Sequence, residues 1–390
     1  MIYYDFPPGE AGGGIDWLQI EQSIPWFQDM AECMQDAVFH AEGDVWTHTR
    51  MVVEALCADE RYRALSEVRR RILFWAAVLH DIAKPKTRDA YFDKSLGRDR
   101  VSHPNHSRLG ERMARPFLWK LGVPMVEREQ ICSIIRYHQR IFHILRKRKS
   151  LKGAIEISQK CIGSDLYLHA VADYRGRICA EPNDTLVQLE CVYEYFAEND
   201  IHDKPWHFGN GLSRYEYFSH SDRNPHYTAY EEQTDFEVVL LSGLPGAGKD
   251  HLIEQHYSDY AVVSLDDIRK ETGASPTGNQ GAVIRLAFER SKEHLRAKRK
   301  FVWNATNLSL DMRSKPLQLF KEYGARTKIH YLEVEHDLLF AQNKKRDKAV
   351  PEKVIQQMLN KWQVPDPWEA DHVIWQNGDE VVVEPVGFIG

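Results

Sequence analysis

The spacing of apolar residues changes once along this 390-residue chain, and that change constrains the fold more than any other feature. Up to about residue 200, apolar side chains recur three and four apart, the period of one helix face. The segments WTHTRMVVEALC, RRRILFWAAVLHDIA, HSRLGERMARPFLWKLG, REQICSIIRYHQ and LVQLECVYEYFAEN all do so. Pro85, Pro104, Gly122 with Pro124, and Pro182 with Asn183 break the pattern between them. Almost nothing in this half alternates like a half-buried strand. From Phe236 onward the short β-branched runs FEVVLLSG, YAVVSLD, KFVWNATN and TKIHYLEVE are separated by helical segments. That alternation predicts a parallel sheet with crossover helices. The expectation is an all-α module over residues 1–200 and an α/β module over 236–390. Residues 201–235, rich in His, Tyr, Gly, Asn and Asp, read as an ordered aromatic connector.

Composition excludes several classes. With 43% hydrophobic and 28% charged residues the chain is neither disordered nor membrane-spanning, since no run nears the ~20 apolar residues a span requires. The opening MIYYDFPPGEAGGG has no apolar core of a signal peptide. Cys33, Cys57, Cys132, Cys161, Cys179 and Cys191 occur singly, which fits a reducing, cytoplasmic setting rather than a disulfide or zinc-finger scaffold. A net charge of −6 argues against generic coating of nucleic acid. Three basic groups stand out against it: Arg136 to Lys152, Arg290 to Lys300, and Lys344 to Lys348. Each reads first as a solvated helix face; together they make local phosphate-binding surfaces plausible.

SGLPGAGKD follows the first apolar strand and precedes a helical pattern. Gly243, Gly246 and Gly248 let successive backbone N–H groups of the cofactor-binding loop, which includes Ala247, turn toward phosphate oxygens, and Lys249 reaches the outer phosphates. The next position usually carries Ser or Thr for Mg²⁺; here it is Asp250. The third strand, where an acidic residue usually stands, ends in Asn304. An exchange of roles between Asp250 and Asn304, or a helix-capping Asp250, are the two readings. After the second strand, Asp266 is placed to accept a hydroxyl proton, Arg269 to hold an acceptor phosphate and Asp267 to cap the helix. The segment from Asn343 to Pro351 reads as a basic lid that neutralises charge on a transferred phosphoryl group.

In the first half, His48, the adjacent pair His80-Asp81, His106, His138 and Asp173 lie in helical segments. Four imidazoles and two carboxylates without cysteine suit a transition metal with open positions, one of Mn, Co, Ni, Zn or Cu, rather than a structural zinc. His106 is preferred over His103 because HSRLG enters a helix. Arg136, Arg175 and Arg177 read as structural cations, with substrate contact the alternative.

GLPGAGKD, LDDIR, NATNL and KKRDKAVPEKVI together resemble the P-loop polynucleotide 5′-kinases over residues 236–375. That resemblance implies ATP or another NTP with Mg²⁺, Asp266 as general base, Arg269 on the acceptor's phosphate, and Arg346 (or Lys345) as lid cation. The order His, His-Asp, Asp with intervening histidines resembles the HD phosphohydrolases over residues 40–180. It implies His48, His80, Asp81 and Asp173 on a first metal, His106 and His138 on a second metal or on phosphate, and Lys84 as a phosphate clamp. This order of modules resembles the bacterial bifunctional end-healing enzymes called HD-Pnk. What that implies is a 5′-hydroxyl kinase and a 3′-phosphatase or 2′,3′-phosphatase acting on DNA or RNA ends, a functional link to a polynucleotide ligase, and no membrane. Two alternatives remain: a small-nucleotide phosphohydrolase fused to a metabolite kinase, and an HD phosphohydrolase regulated by ATP sensing.

Overall fold

The computed structural model describes residues 14–95, 97–179, 184–231, 234–275, 278–346 and 349–385. The opening residues 1–13, the expected break at Pro182 and Asn183, and Asp347 and Lys348 of the basic segment lie outside them. The chain divides after Trp206 into two compact units. No described helix is long and apolar enough to cross a membrane.

The first unit is helical around one apolar core. Helix Val45–Ala58 starts where Asp44 accepts hydrogen bonds from the Thr47 N–H and hydroxyl. Helix Glu67–Leu79 is capped by Ser66 and buried along every residue from Ile72 to Leu79. It therefore lies at the centre of the unit rather than on its surface. Helices His106–Lys120, Met125–Tyr137, Gly163–Arg175 and Thr185–Glu198 complete the bundle. Pro116 sits inside the first of these without ending it. The helical reading missed one feature. Asp89–Asp93 (β1) and Arg98–Ser102 (β2) form an antiparallel hairpin. β1 is exposed on both faces, so its sequence has no core side to alternate against.

The second unit is a six-stranded sheet. Its strands are Glu237–Ser242 (β3), Ala261–Ser264 (β4), Phe301–Asn304 (β5), Arg326–Glu333 (β6), His372–Asn377 (β7) and Glu380–Val383 (β8). Their spatial order is β4-β5-β3-β6-β7-β8, with every pair parallel except β7 and β8. β3 is buried at every residue, as a central parallel strand covered on both faces must be. The β7–β8 hairpin at the far edge lies outside the four runs read from sequence.

From His207 the aromatic stretch is counted with the second unit. Helix Gly211–Ser219 is capped by Asn210 and its Arg214 donates to the Pro367 carbonyl at 3.0 Å. Phe218 stacks on Trp368 with ring centroids 4.4 Å apart. Tyr217 is buried and Tyr230 is exposed.

Candidate metal centre and phosphate-binding loop

In the first unit, five helix ends or faces deliver six side chains to one buried place. His80 and His138 are the residues just past the last turns of helices Glu67–Leu79 and Met125–Tyr137, and His106 opens helix His106–Lys120. Each donates its Nδ1 proton to the carbonyl three residues earlier. The distances are 2.7 Å to Ala77 O, 2.8 Å to Ile135 O and 2.6 Å to His103 O. Ala77 and Ile135 offer carbonyls of a last helical turn, which have no partner within the helix. A carbonyl only accepts, so all three rings carry the proton on Nδ1 and aim an Nε2 lone pair inward.

Those lone pairs have no proton to share. His106 Nε2 and His138 Nε2 face each other at 3.2 Å, acceptor against acceptor. Asp81 Oδ1 lies 3.4 Å from the first and 3.7 Å from the second. Asp81 Oδ2 lies 3.0 Å from His80 Nε2 and 2.7 Å from Lys84 Nζ. His48 Nε2 is 3.2 Å from Asp173 Oδ1 and 3.8 Å from Asp81 Oδ2. Among the described residues, His48 Nε2, His80 Nε2, both Asp81 oxygens and Asp173 Oδ2 are buried without a hydrogen bond of good geometry. Leaving such atoms unmatched is costly, and a cation between them removes the conflict.

Two groupings have ligand atoms close enough for one ion each, His48 with His80 and Asp173, and Asp81 with His106 and His138. The all-nitrogen-and-oxygen donor set, backed by carbonyls on Nδ1, fits a divalent transition metal.

The electrostatics agree with that fit. Burial pushes the Asp81 carboxyl up, but His80 and Lys84 outweigh it and hold it well below the usual carboxylate range. Burial likewise raises Asp173, and Arg177 and His48 pull it far down. Arg177 donates to Asp173 Oδ1 at 2.8 Å. Burial, then His106 and His80, push the His138 imidazole far below its ordinary value, so it is neutral and able to ligate. Lys84 also donates to Gln35 Oε1 at 2.7 Å.

Other candidate positions lie elsewhere. His103 donates Nδ1 to the Lys84 carbonyl at 3.0 Å and belongs to neither grouping. Arg175 is half exposed and pairs with Asp59, and Arg136 lies 3.9 Å from Glu111. His169 went unread, although it stands one helical turn before Asp173. It is fully buried, neither ring nitrogen is hydrogen-bonded among the described residues, and its ring centroid is 5.3 Å from that of His80. Burial, then His80, pushes it down to about 3.

In the second unit the loop after β3 bends through Gly246 (φ +89°) and Gly248 (φ +94°), angles a side chain resists. A Cβ on Gly243 would overlap the Leu332 carbonyl of β6. Helix Lys249–His256 follows, headed by Gly248 with no side-chain cap, so Asp250 is not its cap. Lys249 Nζ folds into the loop and donates to the Gly243 and Leu244 carbonyls, both at 2.9 Å. Burial lowers it to about 8, with Asp250 and Asp266 opposing and Arg346 reinforcing.

Asn304, the last residue of β5, donates its Nδ2 proton to Asp250 Oδ1 at 2.8 Å. Asp266 stands in the first turn of helix Leu265–Thr272, just past β4 rather than on it. It pairs with Arg269, whose Nε donates to Gln280 at 2.7 Å. The cap of this helix is Ser264, which accepts from the Asp267 N–H at 3.1 Å. Asp267, expected to cap, pairs with Lys270 at 3.0 Å instead. Arg346 follows helix His336–Lys344, and Asn343 fixes the returning chain through both polar groups of Val350, at 2.8 and 3.0 Å. In the other basic groups Arg290 pairs with Glu271 and Lys292 with Glu289, as on solvated helix faces, whereas the partly buried Arg140 ties its turn to Glu156 of helix Ser150–Ser158.

Residues 45–172 match the HD domain family and residues 238–365 match an AAA domain family. The chain thus carries a stretch similar to HD domains followed by a stretch, holding the loop around Lys249, that is similar to AAA domains. It is similar to the multifunctional CCA protein of Halorhodospira halophila, 30% identical over 155 residues. That stretch is 38% of this chain, and the chain spans about a third, 34%, of that relative. A sugar kinase of Janibacter sp. HTCC2649 aligns at 15% identity and a TM-score of 0.29, over 36% of this chain and 84% of its own. A gluconokinase of Sinorhizobium meliloti 1021 aligns at 15% identity and a TM-score of 0.28, over 37% and 83%.

Proposed function

We propose that this chain repairs both termini of a broken polynucleotide strand. Its second unit phosphorylates a 5′-hydroxyl with ATP, and its first removes a 3′-phosphate or opens and removes a 2′,3′-cyclic phosphate. The observation that carries this reading is the pairing of Asp266 with Arg269 just past β4, two strands from the Lys249 loop that follows β3 in the same sheet. A strand end offers a hydroxyl and, one sugar away, an internucleotide phosphate; a carboxylate with an adjacent guanidinium matches that pair.

In the kinase step Asp266 accepts the hydroxyl proton as the oxygen bonds to the γ-phosphorus and the bond to the ADP oxygen breaks. Arg269 leaves Asp266 for the acceptor's phosphate. Lys249 exchanges its two loop carbonyls for phosphate oxygens, and Arg346 adds positive charge from the lid side. The contribution is positioning and charge neutralisation. Magnesium would supply further neutralisation, held near Asp250 with Asn304 orienting that carboxylate.

At the HD site, His48, His80 and Asp173 would hold one transition metal, and Asp81, His106 and His138 a second. Such ions supply Lewis-acid polarisation of phosphate and activation of water. The chain's own part is to hold these donors rigid, to orient a phosphate with Lys84, and to exclude bulk water from a buried site.

The test uses one oligonucleotide with a 5′-hydroxyl and a 3′-phosphate, ATP, Mg²⁺ and Mn²⁺. Asp81→Ala should lower 3′-phosphate removal roughly a thousandfold and spare the 5′ end, and Lys249→Ala should do the reverse. If both ends stay unchanged with wild type while mononucleotides are consumed, the polymer assignment is wrong.

A further inference from the structure

One buried carboxylate near the metal-binding cluster has no part in the reactions above. Glu42 lies in the loop before helix Val45–Ala58, and its side chain is 1% exposed. The loop is tied to the segment after Arg175 from both sides. The Ala41 N–H donates to the Ile178 carbonyl, and the Ile178 N–H donates to Glu42 Oε2, both at 2.9 Å. Glu42 Oε1 then lies 2.9 Å from His48 Nδ1 and 2.7 Å from His40 Nδ1. The Gly176 carbonyl also approaches His48 Nδ1, at 3.2 Å.

His40, Glu42 and His48 are close enough to be considered as a further cation site. The distances decide otherwise. An ionised carboxylate only accepts, so His40 presents its Nδ1–H to Glu42, while the His48 Nδ1–H is hydrogen-bonded to the Gly176 carbonyl with Glu42 Oε1 2.9 Å away beside it. Neither the His40 nor the Glu42 side chain is among the buried atoms lacking a hydrogen bond. This outer cluster is satisfied as it stands. The inner one, where lone pair faces lone pair, is not.

We infer that Glu42 is a positioning residue that makes His48 the strongest imidazole donor of the centre. All four rings give their Nδ1 proton to a neutral carbonyl, but of the four His48 alone also has a carboxylate oxygen, Glu42 Oε1, 2.9 Å from that nitrogen. A carboxylate behind a ligating imidazole fixes the ring and raises the basicity of its other nitrogen. The position formed by His48, His80 and Asp173 therefore binds its ion more tightly than the one formed by Asp81, His106 and His138. This rests on reading the cluster as a metal centre, and on nothing about the nucleic-acid substrate.

The test titrates Co²⁺ into the full chain, following visible absorption, with the wild type, Glu42→Gln, Glu42→Ala and His40→Ala. Glu42→Gln keeps an acceptor for Nδ1 and removes the charge. It should weaken the tighter Co²⁺ site roughly 10- to 100-fold and shift its absorption band, with the metal-free melting temperature close to wild type. His40→Ala should leave that affinity within about threefold of wild type, inside the usual context scatter of such measurements. If Glu42→Gln binds Co²⁺ as tightly as wild type with an unchanged band, the inference fails. It fails also if only Glu42→Ala weakens binding, since that loss would report packing. A wild type that takes up no Co²⁺ overturns the metal reading itself.

Discussion

The HD cluster and the P-loop mouth solve opposite problems. In the first, the ligand-facing atoms are buried, fixed by hydrogen bonds to helix-end carbonyls, and in conflict with one another until a cation arrives. In the second, the functional side chains are partnered with each other: Lys249 with loop carbonyls, Asp250 with Asn304, Asp266 with Arg269. One site stores its readiness as unmet demand. The other must break internal contacts before it can grip phosphate. A closed, water-poor centre suits a resident ion; a self-paired loop suits a substrate that comes and goes.

The largest effect that would sharpen this contrast is at Asp250. Asp250→Ser should weaken Mg²⁺-dependent ATP binding and lower kinase rate roughly a hundredfold, and adding Asn304→Asp should restore about tenfold of it. Fluorescent-nucleotide titrations with and without Mg²⁺ read this directly. A fully active Asp250→Ser would end the idea that the two residues exchange roles. Next comes rigidity in the first unit. A Cβ at Gly176 would stand 2.6 Å from the Val52 backbone nitrogen, so Gly176→Ala should cost about 1–3 kcal/mol of that unit's stability. Denaturant melts should show the loss in the first unit's transition alone, and an unchanged midpoint would mean the loop is softer than described. The smallest expected effect is at Lys292, a partly exposed residue paired with Glu289. Lys292→Ala should change stability by less than about 0.5 kcal/mol and leave both end reactions intact. A large loss of oligonucleotide binding would make that helix face a working surface.

How much of this was legible follows from where each signal lives. His80-Asp81 could be read because a charged pair inside AAVLHDIA has no cheap explanation in a core. His169 could not, since a histidine in LYLHAVAD looks like any other buried ring until the fold turns it toward His80. Glu42 was invisible for a different reason: its meaning comes from Ile178 and His48, which only the fold brings near. The strand–loop–helix around Lys249 is local, so its glycines announced it. The β1–β2 hairpin has no buried face and left no periodic trace. Asp267 was expected to cap its helix, and Ser264, three residues earlier, does so instead.

The hydrogen bond from His48 to Gly176 joins positions 128 residues apart. An ion held between His48, His80 and Asp173 would therefore act as a clasp on most of the first unit, drawing together helices made early and late in synthesis. A nascent chain still short of Asp173 has no clasp to close. Metal uptake would then wait for the chain to reach Asp173, and a starved cell would accumulate copies whose first unit is complete in sequence yet loosely shut.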